Sequence, residues 1–285
     1  MKKFLFGIIG HPIGHTLSPV IHKKLVELAN PSLSQEQLDD MFEYSVFDVP
    51  PNDLADKFAS LTERVGLNVT IPHKIEIGNL LPHLDESSER YGAVNTVDCG
   101  SMTGYNTDVY GFNRAIQTLG TDLKGKVLLL GCGGVGRMMA LETVWAGGTL
   151  TIAVRPDDLS VADSLKSEIF EKTGSKNVTV TTLEKIDSKF DLLINSTPVG
   201  MSPNIDDCPV SEEIIAKSKY VFDAIYNPKN TKLIKLAVKN NIPSTSGMSM
   251  LVWQAAKAQE IWHKIKYNLE DIEKIIKEME CYCDD

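Results

Sequence analysis

The stretch KVLLL at 126–130, followed by Gly131-Cys132-Gly133-Gly134-Val135-Gly136-Arg137, decides the fold of this chain. An apolar, strand-like run enters Gly-x-Gly-x-x-Gly, and Met138 to Trp145 read as the helix behind it. In that order the first glycine permits a tight turn. The second lets backbone approach a pyrophosphate, and the third lets helix and strand pack closely. The helix N-terminus then faces the negative charge. Glycines alone mark only a turn; the strand before and the helix after make this a dinucleotide site. The motif begins at residue 131, so a domain's length of chain precedes it.

Downstream, strands and helices alternate. Strand-like runs at 149–154, 178–181, 190–195 and 220–224 are separated by helical stretches around 161–173 and 231–240. Such alternation predicts a parallel, doubly wound sheet. Upstream, strands are expected at 3–9 and 42–47, with a strand pair at 93–98 and 101–106. Helical spacing covers 20–29, 54–61 and 111–119, and a long helix spans 248–267 before a last one ending near Met279. The fold expected is α/β: an N-terminal α/β substrate domain, 1–113, completed by C-terminal helices at 248–285, plus a Rossmann-type dinucleotide-binding domain at 114–247.

The 285 residues exceed a typical single domain, and 42% hydrophobic content can fill two cores. A formal charge of -9 argues against a nucleic-acid partner. Five cysteines without a C-x-x-C pair suggest neither zinc nor a disulfide framework, so no metal is expected. The apolar N-terminus is too short for a secretory signal and reads as a first strand, and no run is long enough to span a bilayer. A cytoplasmic protein without a membrane partner, monomer or homodimer, is the expectation.

Four short polar segments punctuate the first domain. In His15-Thr16-Leu17-Ser18-Pro19, two hydroxyls stand two residues apart, and either could simply cap the helix that Pro19 opens. In Asn68-Val69-Thr70-Ile71-Pro72-His73-Lys74, the lysine is expected to open a helix. A cation is disfavoured there by the dipole, unless it is simply solvated. Gly92-Ala93-Val94-Asn95-Thr96 and Gly104-Tyr105-Asn106-Thr107-Asp108 follow, and Asp108 could be a helix N-cap.

Taken in order with later segments, these form a pattern. T-L-S-P (16–19), N-V-T-I-P-H-K (68–74), G-A-V-N-T (92–96) and N-T-D (106–108) precede the glycine turn. N-S-T-P-V-G-M (195–201), D-A-I-Y-N-P (223–228) and G-M-S-M-L-V-W-Q-A (247–255) follow it. Over nearly its whole length the chain resembles the shikimate dehydrogenases, which reduce 3-dehydroshikimate to shikimate with a nicotinamide cofactor. The resemblance implies Lys74 and Asp108 as the catalytic pair. It implies Thr16, Ser18, Thr70, Asn95, Tyr226 and Gln254 around a small ring bearing hydroxyls and a carboxylate. For the cofactor it implies Gly131, Gly133, Gly134, Val135, Gly136, Arg155, Thr197 and Gly247. Two positions depart from the family pattern: Thr16 stands where serine is usual, and Ser249 where glycine is common.

The chemistry suits those residue types. Hydride delivery to a ketone leaves charge on oxygen, which an ammonium can stabilise and protonate. The cofactor expected is NADP, with NAD as the alternative. Val154-Arg155-Pro156-Asp157-Asp158 keeps the arginine for a 2′-phosphate but lacks the second basic residue of NADP-preferring relatives. Asp157 and Asp158 would repel a phosphate or accept from a ribose hydroxyl, or they merely favour a helix start. The other readings are an NAD-preferring quinate/shikimate dehydrogenase and a non-catalytic nucleotide-binding regulator. The regulator is opposed by the presence of both Lys74 and Asp108.

Overall fold

Strands buried on both faces of a parallel sheet are apolar along their whole length, and KVLLL is such a strand: Val127, Leu128, Leu129 and Leu130 are fully buried. The structure is a computed structural model and describes residues 3–14 and 16–283. In chain order the strands are β1 (Phe4–Gly10), β2 (Phe42–Asp48), β3 (Gly66–Val69), β4 (His83–Leu84), β5 (Thr96–Asp98), β6 (Thr103–Tyr105), β7 (Lys126–Leu130), β8 (Thr149–Val154), β9 (Val178–Thr182), β10 (Phe190–Asn195), β11 (Ser218–Asp223) and β12 (Ser244–Thr245). The helices are α1 (Ser18–Ala29), α2 (Gln35–Met41), α3 (Leu54–Ala59), α4 (Glu86–Tyr91), α5 (Asp108–Thr118), α6 (Gly134–Trp145), α7 (Leu159–Thr173), α8 (Glu212–Ile215), α9 (Lys232–Lys239), α10 (Met248–His263) and α11 (Leu269–Glu280).

Two units result: Met1–Gly111 with Val252–Lys277, and Phe112–Leu251 with Glu278–Asp285. The sequence reading placed all of 248–285 with the first domain. In the structure the end of α11 belongs to the second unit, where Lys229 Nζ lies 3.3 Å from Glu280 Oε2.

The first unit holds a six-stranded mixed sheet in the order β2-β1-β3-β5-β6-β4. Strands β2, β1 and β3 are parallel, and β5 runs antiparallel to both β3 and β6. One face packs Ile9, Leu67, Val69 and Val97 against Leu54 and Phe58 of α3. On β1, Phe6 meets Ala258 and Trp262 of α10. Trp262 fixes that helix: its indole N–H donates to the Val97 carbonyl at 2.9 Å. A Cβ at Gly66 would stand 2.1 Å from the same nitrogen, so only glycine fits there.

The second unit holds six strands in the order β12-β11-β10-β7-β8-β9, every pairing parallel. Renumbered from β7, this is 3-2-1-4-5-6, the doubly wound order, and the switch point lies between β7 and β10. Leu128, Leu130, Leu193 and Val221 pack against Leu233 and Ile234 of α9. Among the described residues, no helix is long and apolar enough to cross a membrane.

Candidate active site

In the first unit, register sets the site. Asn68 on β3 lies opposite Thr96 on β5, and Thr96 opposite Tyr105 on β6, so polar side chains share one end of the sheet. A connected polar chain grows from there. Tyr44 Oη donates to Asn68 Oδ1 at 2.7 Å, and Asn68 Nδ2 donates to Thr96 Oγ1 at 3.1 Å. Thr96 Oγ1 donates in turn to Asn95 Oδ1 at 3.2 Å.

Asn95 is the hub and is 3% exposed. Its Oδ1 accepts the Thr107 backbone N–H at 2.7 Å. Its two amide hydrogens are shared among Asp108 Oδ1 at 2.9 Å, Thr107 Oγ1 at 3.0 Å and Gln254 Oε1 at 3.3 Å. The other carboxylate oxygen of Asp108 accepts from Lys74 Nζ at 2.6 Å. Lys74 and Asp108 side chains are 29% and 17% exposed, so this ion pair is the accessible end of an otherwise buried network.

The local setting of both residues differs from the sequence expectation. Lys74 does not open an α-helix; it sits in a turn before a short 3₁₀ segment, Glu76–Leu80. No helix dipole therefore opposes its charge. Asp108 is the first residue of α5 rather than its cap, and its N–H is taken by Asn106 Oδ1 at 3.2 Å. Its carboxylate is thus left for the lysine.

Thr16 Oγ1 donates to Ser18 Oγ at 3.1 Å and accepts the Ser18 N–H at 3.2 Å. The N-cap of α1 is Leu17, with no side-chain cap, so capping does not account for the two hydroxyls. Thr70 is half-buried at the end of β3, its N–H on the Ile9 carbonyl at 2.8 Å. Lys74, Asn95, Asp108 and Gln254 are brought into one hydrogen-bonded group; Thr16 pairs with Ser18, whose side chain also meets Tyr44 at the far end of that network, and the Thr70 carbonyl accepts the His73 N–H at 3.0 Å.

Tyr226 lies in the second unit, half-buried in the loop after β11. There the glycine turn behaves as its spacing implies. Gly131 has φ +89°, which a side chain would strain, and its Cβ would stand 2.8 Å from Thr197 Cγ2. Gly136 lies under Ser196: a Cβ would meet Ser196 Oγ at 2.5 Å, while that hydroxyl donates to the Leu130 carbonyl at 2.7 Å. The third glycine therefore seats α6 against the β10 loop. Gly133 and Gly134 have nothing within 4 Å of a Cβ position, and Gly133 caps α6 without a side chain on the first N–H groups. This open cradle of helix N-terminal donors fits a pyrophosphate. Val135 is half-buried in the first turn of α6. Gly247 is required by packing, because a Cβ there would stand 2.1 Å from the Ala224 carbonyl oxygen.

Thr197 is positioned by Asn195, whose Oδ1 accepts both its N–H at 3.0 Å and its hydroxyl at 2.7 Å. Asn195 Nδ2 donates to Asp223 Oδ1 at 2.9 Å. Asp223 also accepts from Ile225 N at 3.1 Å and from Thr231 Oγ1 at 2.6 Å. Burial pushes the Asp223 carboxyl up to about 6, against the pull of these donors. Arg155 follows β8 with a side chain 74% exposed, and its Nε donates to Asp158 Oδ2 at 2.9 Å. The Cys132 thiol in the glycine turn is pushed up by burial and then by the charge of Asp158, so that carboxylate's field reaches the turn. Sequence reasoning missed Tyr44, Thr107, Asn195 and Asp223 as supports; for Asn195 and Asp223 the clue was a polar residue ending an otherwise apolar strand.

The substrate binding domain of shikimate dehydrogenases matches residues 8–97. The NADP(+) shikimate dehydrogenase of Caldanaerobacter subterraneus subsp. tengcongensis is 39% identical over 90% of this chain and 91% of its own. The chain belongs to the shikimate dehydrogenase family. A solved shikimate dehydrogenase in complex with NADP+ superposes with TM-score 0.85 at 34% identity, over 97% of this chain and 96% of its own. The family member from Thermus thermophilus, solved with NADP(H) and shikimate, gives TM-score 0.80 at 28% identity over 96% and 99% of the two chains.

Proposed function

We propose that this chain is an NADP-dependent shikimate dehydrogenase that reversibly reduces 3-dehydroshikimate to shikimate. The observation that carries this reading is the Lys74–Asp108 pair at 2.6 Å, held from behind by Asn95. NADPH supplies the hydride when bound, and the open cradle at Gly133 and Gly134 would hold its pyrophosphate. As hydride reaches the carbonyl carbon, negative charge collects on the carbonyl oxygen. Lys74 donates a hydrogen bond to that oxygen and then its proton, forming the hydroxyl. Asp108 orients the ammonium and accepts from a neighbouring substrate hydroxyl. Asn95 keeps the carboxylate from rotating. Lys74, being partly exposed, regains its proton from water. Thr16, Ser18, Thr70 and Gln254, all of the first unit, supply the remaining short polar contacts to the ring.

One observation supports a second emphasis. Arg155, the residue suited to the 2′-phosphate, is already engaged by Asp158. This favours a smaller preference for NADP over NAD than two free basic residues would give. Initial rates of the purified chain with shikimate and quinate, each against NADP and NAD, test both points. Shikimate with NADP gives the highest kcat/KM on this reading. A higher value for quinate with NAD replaces it by a quinate/shikimate dehydrogenase.

A further inference from the structure

Tyr44, on β2, stands between the Thr16–Ser18 pair and the network of Asn68 and Asn95, and the direction of each bond there can be deduced. Asn68 Nδ2 donates to the Asn95 carbonyl at 3.3 Å and to Thr96 Oγ1 at 3.1 Å. A carbonyl oxygen can only accept, so the Asn68 amide has one orientation, with Oδ1 turned to Tyr44. That oxygen too can only accept, so Tyr44 spends its hydrogen there, at 2.7 Å. Burial pushes the phenol well above its ordinary value, so the hydrogen stays on it. The Tyr44 oxygen is then left with lone pairs, and the Ser18 hydroxyl that meets it is the donor. Ser18 Oγ, its own hydrogen spent, accepts from Thr16 Oγ1 at 3.1 Å. Thr16 thus holds the hydrogen that can turn to a ligand without breaking the chain to Tyr44. The ring itself is clamped: it stacks on His22 at 4.5 Å, and the fully buried His22 is held by Gln259 at 2.8 Å.

We propose that Tyr44 is a positioning residue for substrate recognition, acting through Ser18 and Thr16, which it arranges in unequal roles: Thr16 as a donor and Ser18 as an acceptor. The assignment rests on the reading of Thr16 and Ser18 as substrate contacts. A hydroxyl already held in its bound orientation loses less freedom when the substrate arrives, so the gain falls on binding. Without the phenol, Ser18 rotates, and its hydrogen competes with that of Thr16 for the same substrate atom. Lys74 and Asp108 are reached from Tyr44 through Asn68, Thr96 and Asn95, which keep their other bonds, so the chemical step is spared.

The test is a double-mutant cycle read by steady-state kinetics with shikimate and NADP, on the parent, Tyr44→Phe, Ser18→Ala and the two combined. Tyr44→Phe keeps the ring on His22 and removes the hydroxyl. The expected result is a KM for shikimate about fivefold higher, with kcat and the KM for NADP within about twofold of the parent. In the combined variant KM rises no further than in Ser18→Ala alone, because the two groups act as one. An unchanged KM, with or without a lower melting temperature, overturns the proposal. So do losses that multiply in the combined variant, or a fall in kcat at constant KM. A second arm keeps the hydroxyl and needs no turnover: Tyr44 is replaced by 3-fluorotyrosine and followed by ¹⁹F NMR. Its resonance shifts with shikimate and not with NADP, and Ser18→Ala moves it in the free chain. A resonance blind to either shikimate or Ser18→Ala overturns the proposal. If quinate with NAD is the preferred pair, the proposed function falls, and the same cycle run with quinate decides the role of Tyr44.

Discussion

Two aspartates, Asp108 in the first unit and Asp223 in the second, receive opposite treatment. Asp108 is partly open to solvent and faces a full positive charge, Lys74, with one amide behind it. Asp223 is fully buried and faces only neutral donors: an amide, a backbone N–H and a hydroxyl. Neutral donors do not repay the desolvation of a carboxylate, and the acid accordingly titrates near 6. A carboxylate that must act on substrate is set beside a cation and within reach of water. One that only ties β10 to β11 and the start of α9 is set among dipoles.

Removing the cation breaks the first half of the contrast. Lys74→Ala should lower kcat by about 10²-fold or more with a much smaller rise in KM, because its work arises in the transition state. Steady-state kinetics with 3-dehydroshikimate checks this; a near-normal kcat with weak binding would make Lys74 a substrate clamp.

The second half is sharpened by pH. Below about 4 both folded and unfolded chains carry Asp223 protonated. Between its ordinary 3.8 and about 6, the unfolded chain releases the proton while the folded one keeps it. Stability contributed by this group is therefore present at the acid end, falls as pH rises through that window, and is gone above it. Asp223→Asn should remove that dependence, worth on the order of 2–3 kcal/mol. The difference between parent and variant melting curves from pH 4 to 7 isolates it from the other carboxylates.

Asn95→Ala leaves Lys74 and Asp108 in place but frees the carboxylate and strips an acceptor from Thr107. A loss of about tenfold in kcat and about 1–2 kcal/mol in stability is expected. Loss of stability with unchanged kcat would show that Asn95 serves folding alone.

The smallest effect belongs to the exposed pair after β8. Arg155→Ala should weaken NADP about fivefold and leave NAD nearly unchanged, since an exposed charge-assisted contact is screened. Titration of 2′,5′-ADP against 5′-AMP reads the same contrast without turnover. Equal losses for both would make Arg155 a packing or stacking residue.

The second unit was the more legible half, for a physical reason. Its central strands β7 and β10 are buried on both faces, so they read as apolar runs between turn residues, and Gly131 and Gly136 sit where only glycine fits. The elements that escaped notice bury little. α2 presents Leu38 alone to the core and is held by a local capping box between Ser34 and Gln37. β12 is two residues long, and α8 four. In the first unit, the motifs flagged the polar residues individually. Their connection depends on strand register, on Asn68 lying opposite Thr96, and on Gln254 meeting Asn95 across a separation of 159 residues. No local pattern encodes that distance. The turn at Lys74 was misread as a helix start because proline favours both.

That same long separation governs the order in which the molecule can be made. Synthesis runs from the N-terminus, and domains generally fold as units as they emerge. The six strands of the second unit lie within one uninterrupted stretch, Lys126 to Thr245. The first unit must wait longer: Gln254 closes the network at Asn95, and Trp262 fills the space that Gly66 leaves. A nascent chain arrested before α10 therefore has every strand of its nucleotide-binding half, while the half that carries Lys74 and Asp108 lacks its last wall.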